Sequence, residues 1–193
     1  MKKAIVSLAA MLCCAFASGS FAADSKATMD AKAYKAEKDQ IEATEKADKK
    51  ACDGMKGNAK DVCKKEAKAK EKVAKAELDA RNHPGPAADA KVKKVKADTA
   101  YDVAKEKCED LKGNEKDVCK KEAKAAHEAA KGEAKVEKAA ATSGPAAAND
   151  KAKDVKNDTM DAQYSAAKEK CDAMKGDAKD KCVADAKKKY NKS

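Results

Sequence analysis

Cys52-Asp-Gly-Met-Lys-Gly-Asn-Ala-Lys-Asp-Val-Cys63 is spelled out twice more along this chain. Cys108-Glu-Asp-Leu-Lys-Gly-Asn-Glu-Lys-Asp-Val-Cys119 follows at an offset of 56 residues, and Cys171-Asp-Ala-Met-Lys-Gly-Asp-Ala-Lys-Asp-Lys-Cys182 after a further 63. The shared pattern is C-x-x-[LM]-K-G-[ND]-x-K-D-x-C. Self-similarity at such a period marks a repeated supersecondary unit. The flanks repeat as well: Ala-Lys-Glu-Lys precedes Cys108 and Cys171, and Lys-Lys-Glu-Ala-Lys-Ala follows Cys63 and Cys119.

The motif reads as a helical hairpin. Gly57, Gly113 and Gly176 suit the left-handed conformation that ends a helix. The next residues, Asn58, Asn114 and Asp177, are favoured N-caps. Three positions on, Asp61, Asp117 and Asp180 are placed to reach back as in a capping box and to face the positive helix end. One helix stops and another starts within about two residues, so the two run antiparallel. With a rise of about 1.5 Å per residue, both cysteines of a motif stand at similar height above the turn. Of the fifteen pairings that six cysteines allow, this geometry selects Cys52–Cys63, Cys108–Cys119 and Cys171–Cys182. Each such loop closure is worth on the order of 3 kcal/mol.

Outside the turns the arms carry a thin stripe at alternating spacings of four and three. Val62, Glu66, Ala69, Val73, Ala76 and Ala80 form it in the second arm of the first unit, and Val118, Glu122, Ala125, Ala129, Gly132 and Val136 in that of the second. Tyr101, Ala104, Cys108 and Leu111, and likewise Met160, Tyr164, Ala167, Cys171 and Met174, continue it on first arms. These are coiled-coil-like seams built mostly of alanine. Lys94 and Asn157 interrupt them, and Glu45 and Asp48 stand on the first arm of unit one, which predicts weak packing there. Asn82-His-Pro-Gly-Pro86 is a hard helix stop and Thr142-Ser-Gly-Pro-Ala146 a softer one. The expected fold is therefore all-α: three disulfide-stapled antiparallel helical hairpins in tandem, extended or loosely bundled. The units are 23–83, 84–144 and 145–193. Six helices are expected near 26–56, 59–81, 89–112, 115–141, 149–175 and 178–190.

Residues 1–22 read as an export signal. Lys2 and Lys3 precede an apolar run from Ala4 to Ala17, and Ser20 and Ala22 suit the −3 and −1 positions of a cut before Ala23. The run is shorter than the roughly 20 residues a membrane span needs. A lipid anchor at Cys13 or Cys14 is the alternative to simple cleavage, though Leu12 before Cys13 and Cys13 before Cys14 fit a lipobox poorly. The expected address is the periplasm or the exterior, with no transmembrane segment once the signal is removed.

Composition limits what such a protein does. Lys and Arg number 44 against 34 Asp and Glu, for a net charge of +10, and 40% of residues are charged. Mean hydropathy is −0.84. There is no Trp, and both Phe residues, Phe16 and Phe21, fall in the signal. Large aliphatic side chains are far below the roughly 20% that a compact core requires, which argues against an enzyme domain that holds catalytic groups rigidly. Neither a C-x-x-C motif nor a phosphate-cradling Gly-rich loop occurs. The ten-residue spacing of the cysteines departs from tetrahedral metal sites, and no cofactor is expected. His83, in the proline turn, and His127, half a turn off the Val118 stripe, read as isolated, with His127 facing solvent. Lysines interspersed with acids read as solvated helix faces, and the scarcity of aromatics argues against specific nucleic-acid binding.

The repeated motif with its A-K-E-K and K-K-E-A-K-A flanks resembles a group of small exported bacterial proteins sometimes labelled TolA-like or cell envelope biogenesis proteins. The resemblance implies an envelope address and names no mechanism. The expected function is that of a non-enzymatic structural or interaction protein of the bacterial cell envelope, whose partner is an envelope protein or an anionic envelope polymer. The rival reading is a periplasmic binding module that sequesters metal ions or polyanions.

Overall fold

Alanine, lysine and glutamate are strong helix formers, and they leave little room for anything else. A computed structural model describes residues 29–192, and among these there is no strand. The helices are α1 (Ala31–Ala51), α2 (Gly57–Asn82), α3 (Pro86–Lys107), α4 (Gly113–Cys171) and α5 (Gly176–Lys189). The Asp30 carboxylate caps α1 by accepting from the Ala33 N–H at 3.3 Å. Proline stands at the start of α3, where its missing N–H costs nothing.

The softer of the two expected stops is softer still in the structure. Helix runs from 113 to 171 with a single non-helical residue, Gly144, at φ 84° and ψ 179°, next to Pro145. The gap expected over 142–148 is one hinge residue wide. Gly supplies the backbone angles and Pro145 opens the next helical stretch, so neighbouring residues stay helical. Residues 113–143 and 145–171 then fold back on each other. Gly132 of the first half faces Val155 of the second so closely that a Cβ there would run into the valine side chain.

Every helix packs on its neighbours in sequence: α1 on α2, α2 on α3, α3 on α4, and α4 on α5. Cross-helix ion pairs give the direction. Arg81 meets Glu37, Lys75 meets Glu42 and Lys70 meets Asp48, with numbers falling on one helix as they rise on the other. The same antiparallel order joins α2 to α3 through Glu66–Lys107, Lys72–Asp102 and Glu77–Lys96. The result is a row of helices that meanders up and down, with cystine turns at one end and the Pro and Gly breaks at the other.

A helix inside a row has neighbours on both sides and needs two seams, where the sequence pattern suggested one. In α2, Ala69 and Val73 of the expected stripe border α3. A second stripe, Ala67, Glu71 and Ala74, borders α1. The fully buried side chains are Leu78 and the half-cystines Cys52, Cys108 and Cys171, and most other buried residues are alanines. Helix α1 buries no residue at all. Seams of this kind release little apolar area, at about 25 cal/mol per Å², and exposed ion pairs add about 0–1 kcal/mol each. The staples therefore carry an unusual share of the stability.

The export-signal reading, with its cut between Ala22 and Ala23 and the alternative anchor at Cys13 or Cys14, lies outside the described residues. Among the described residues no helix is long and apolar enough to cross a membrane.

Candidate functional site

The three motifs fold alike. Disulfides join Cys52 to Cys63, Cys108 to Cys119 and Cys171 to Cys182, with Cα–Cα separations of 5.8, 5.7 and 5.6 Å. After the first cysteine the chain makes a short turn. In the first two motifs this is a 3-10 turn, at Cys52–Gly54 and Cys108–Asp110. It then extends through the [LM]-K pair: Lys56, Lys112 and Lys175 have φ near −130° and ψ near 155°. Gly57, Gly113 and Gly176 follow at φ 57°, 53° and 56°. A Cβ at any of the three would meet nothing within 4 Å, so glycine is required here by the backbone angle and not by space.

The expected caps are not formed. Lys56, Lys112 and Lys175 occupy the N-cap positions, and no side-chain cap hydrogen bond closes α2, α4 or α5. Because each helix starts at the glycine, Asn58, Asn114 and Asp177 lie one residue inside it, and Asp61, Asp117 and Asp180 are too far along to complete a capping box. The two asparagines do something else. Asn58 Nδ2 donates to the Glu106 carbonyl at 3.0 Å, and Asn114 Nδ2 to the Glu169 carbonyl at 2.8 Å. Each acceptor lies two residues before the first cysteine of the next motif. The asparagines are clasps between repeats. Asp177, whose ionised carboxylate has no hydrogen to donate, is exposed.

The acid after the first cysteine also has a role that the sequence reading missed. Asp53, Glu109 and Asp172 reach across their turns to Lys60, Lys116 and Lys179 at 3.2, 2.7 and 2.8 Å. Lys120 adds a second contact to Glu109 at 2.8 Å. Hydrogen bonds from Lys116 and then Lys120 pull the Glu109 carboxyl down to about 2. The hydrogen bond from Lys179 lowers Asp172 in the same way. The recurrence of Asp or Glu at this position, with Lys seven residues later in all three copies, is the signal that locates these pairs.

At the tips stand Met55, Leu111 and Met174, the [LM] of the motif. They are the exposed large apolar side chains among the described residues, at 45%, 36% and 44%. The alternating antiparallel course of the row puts all three at the same end.

One equivalent position inside the hairpins is filled in three ways. Unit one has Glu45 and Glu71, unit two Tyr101 and His127, and unit three Tyr164 and Tyr190. Tyr101 and His127 stack with ring centroids 4.6 Å apart, and His127 Nε2 lies 2.6 Å from Asp98 Oδ1. The His127 side chain is 12% exposed, so it does not face solvent as expected. The α3 seam on that side of α4 claims it, and a single-seam pattern does not show that face. Tyr164 and Tyr190 meet edge to face at 6.4 Å. In unit one, Glu71 lies 2.8 Å from Lys68 and 2.7 Å from Lys75. Burial pushes the Glu71 carboxyl up, but the hydrogen bonds from the two lysines outweigh it and the net shift is downward. His83 ends α2 through its backbone N–H, which donates to the Asp79 carbonyl at 2.8 Å.

Among the described residues no group of three or more His, Cys, Asp or Glu side chains is placed to hold a metal ion, and the six cysteines in them are joined in disulfides. Comparison of the chain with protein-family models, with curated proteins and with solved structures returns no match.

Proposed function

We propose that this chain is a non-enzymatic structural and interaction protein of the bacterial cell envelope, working in the periplasm or outside the cell. The observation that carries the reading is the edge made by Met55, Leu111 and Met174. Three equivalent apolar side chains are held out of the fold on turns that a disulfide, a left-handed glycine and a cross-turn ion pair each fix. A repeat protein with a thin core gains nothing in stability from exposing them, whereas three anchors at one end of the fold suit a partner engaged at several points at once. Three disulfides also favour an oxidising compartment over a reducing cytosol.

The test is affinity capture from envelope extract with the oxidised, mature chain as bait, beside Met55→Ser/Leu111→Ser/Met174→Ser. The reading expects an envelope component that the wild type retains and the triple variant loses. Equal recovery by both baits, or a mature protein found only in the cytosol, overturns it. The rival binding-module reading finds no thiolates for a soft metal in cysteines that are already paired. Its polyanion form has in its favour a lysine-lined groove between α3 and α4.

A further inference from the structure

Lysine and acid alternate over most of this molecule, and many lysines have a carboxylate within 4 Å. One groove gathers lysines with no carboxylate in its lining. Between the first turns of α3 and residues 131–138 of α4, five lysines line a depression of about 300 Å³: Lys91, Lys94, Lys131, Lys135 and Lys138. Its floor is alanine, with Ala134 buried, and no carboxylate lines it. Asp79, Asp98 and Glu128, none of them lining the groove, hold Lys91, Lys94 and Lys131 at 2.9, 2.6 and 3.6 Å. Lys135 and Lys138 form no ion pair among the described residues. Of the acids in these segments, Asp89 and Glu137 line the opposite side of the α3–α4 seam, where Glu137 pairs with Lys93 and Lys138 also borders, and Glu133 lines neither side.

The repeats supply an internal control. The positions equivalent to Lys91, Lys94, Lys131, Lys135 and Lys138 in unit one are Lys35, Lys38, Lys75, Asp79 and Asn82. There Lys35 is paired with Asp39, and Lys75 lies between Glu42 and Glu71. In unit three the first two positions are Asp154 and Asn157. Only unit two combines all five cations, with lysine where its sister repeat has aspartate.

We propose that this groove is a binding site for a phosphate-bearing oligoanion. Lysine ammonium groups are compact phosphate binders. Lys131, Lys135 and Lys138 extend over seven residues, about 10 Å of helix rise, which matches two or three linked phosphates better than one. The site is separate from the apolar edge and stands or falls independently of it.

Titration calorimetry of the oxidised mature chain with sodium tripolyphosphate tests it, with inorganic phosphate as reference. Tripolyphosphate should bind saturably, one per chain and more tightly than phosphate, and weaken as salt rises. Lys135→Ala/Lys138→Ala should lose about tenfold or more in affinity, since each substitution removes a charge-assisted contact to phosphate. Lys56→Ala/Lys112→Ala, which removes the same charge from exposed turn positions, should stay within about twofold. Circular dichroism checks that both variants keep their helix. A second arm uses phosphatidylglycerol vesicles: retention that requires Lys135 and Lys138 assigns the phosphates to lipid headgroups, and tripolyphosphate binding without vesicle retention assigns them to a soluble oligophosphate. Equal losses in both double variants, or no saturable binding of tripolyphosphate or vesicles, overturns the proposal.

Discussion

The Asn114 side-chain amide donates to the backbone carbonyl of Glu169 over 2.8 Å, crossing from the second cystine turn to the helix that leads into the third. Asn58 makes the corresponding bond to Glu106. Each acceptor lies in the last turn of its helix; the Glu169 carbonyl also accepts from the Asp172 N–H at 3.1 Å, and the amide takes its second lone pair. Asparagine can give this bond and aspartate cannot, although the two are nearly the same shape. Asn114→Asp should therefore cost about 1–3 kcal/mol, through a lost hydrogen bond and a carboxylate turned toward a carbonyl. The mirror change, Asp177→Asn, should cost almost nothing. Denaturant midpoints decide between these outcomes, and a wild-type midpoint for Asn114→Asp would remove the clasp from the account.

The staples set the next expectation. With seams of alanine and an α1 that buries nothing, reduction of the three disulfides should lower the melting temperature sharply and broaden the transition. Each closure contributes on the order of 3 kcal/mol. Cold helical signal should partly survive, because Ala, Lys and Glu keep intrinsic helix propensity. Melts by circular dichroism with and without reductant measure this. A sharp, reductant-independent melt would mean that the seams alone hold the row together.

What the sequence disclosed and what it concealed follow from the range of the interactions. The pairing of Cys52 with Cys63 was legible because both cysteines belong to one short motif, and so was the positive φ at Gly57. The reach of Asn58 to Glu106 was not, since it depends on which repeat lies beside which. Capping preference pointed to the same residue for another reason. Glu71 and His127 were obscure for a related cause. They face the second seam of a helix flanked on both sides, and a single amphipathic stripe does not register a second partner. The Asp53–Lys60 pair was visible in principle, in the recurrence of its charges across three copies.

The turn glycines give a prediction with an internal control. Gly113 sits at φ 53°, a region a β-branched residue reaches only with strain. Gly113→Val should destabilise by about 1–3 kcal/mol, although the space around it is open. Lys112→Ala, one residue earlier on exposed extended backbone, should fall within about 0.5 kcal/mol of wild type. Equal effects in thermal melts would show that the turn tolerates another backbone path.

Acid should loosen the cystine turns. Glu109 is held down at about 2 by Lys116 and Lys120, and Asp172 is lowered by Lys179. A carboxylate lowered in the folded state contributes stability that is complete above its unfolded value, about 4.3 for glutamate, and lost as the pH falls through the folded one. Stability should therefore hold to about pH 5 and decline from there toward pH 2. Glu109→Gln should flatten part of that decline, read as the pH dependence of the denaturant midpoint. An unchanged slope in this variant would mean that the pair is too well solvated to matter.

Gly132 offers the sharpest contest between local and tertiary forces. It lies in a helix interior, where Gly→Ala ordinarily gains about 1 kcal/mol from propensity. Its missing Cβ also makes room for Val155 of the opposing half of α4, and a methyl group there would run into that side chain. Overpacking a tight seam costs about 1–3 kcal/mol, and a β-branched valine has few rotamers to retreat into. The tertiary term should win, so Gly132→Ala should be net destabilising by about 1 kcal/mol. In a Val155→Ala background the clash is gone, and the same substitution should become stabilising by about the propensity difference. The double-mutant cycle isolates the coupling. If Gly132→Ala stabilises in both backgrounds, the two halves of α4 do not approach as closely as the fold-back at Gly144 places them.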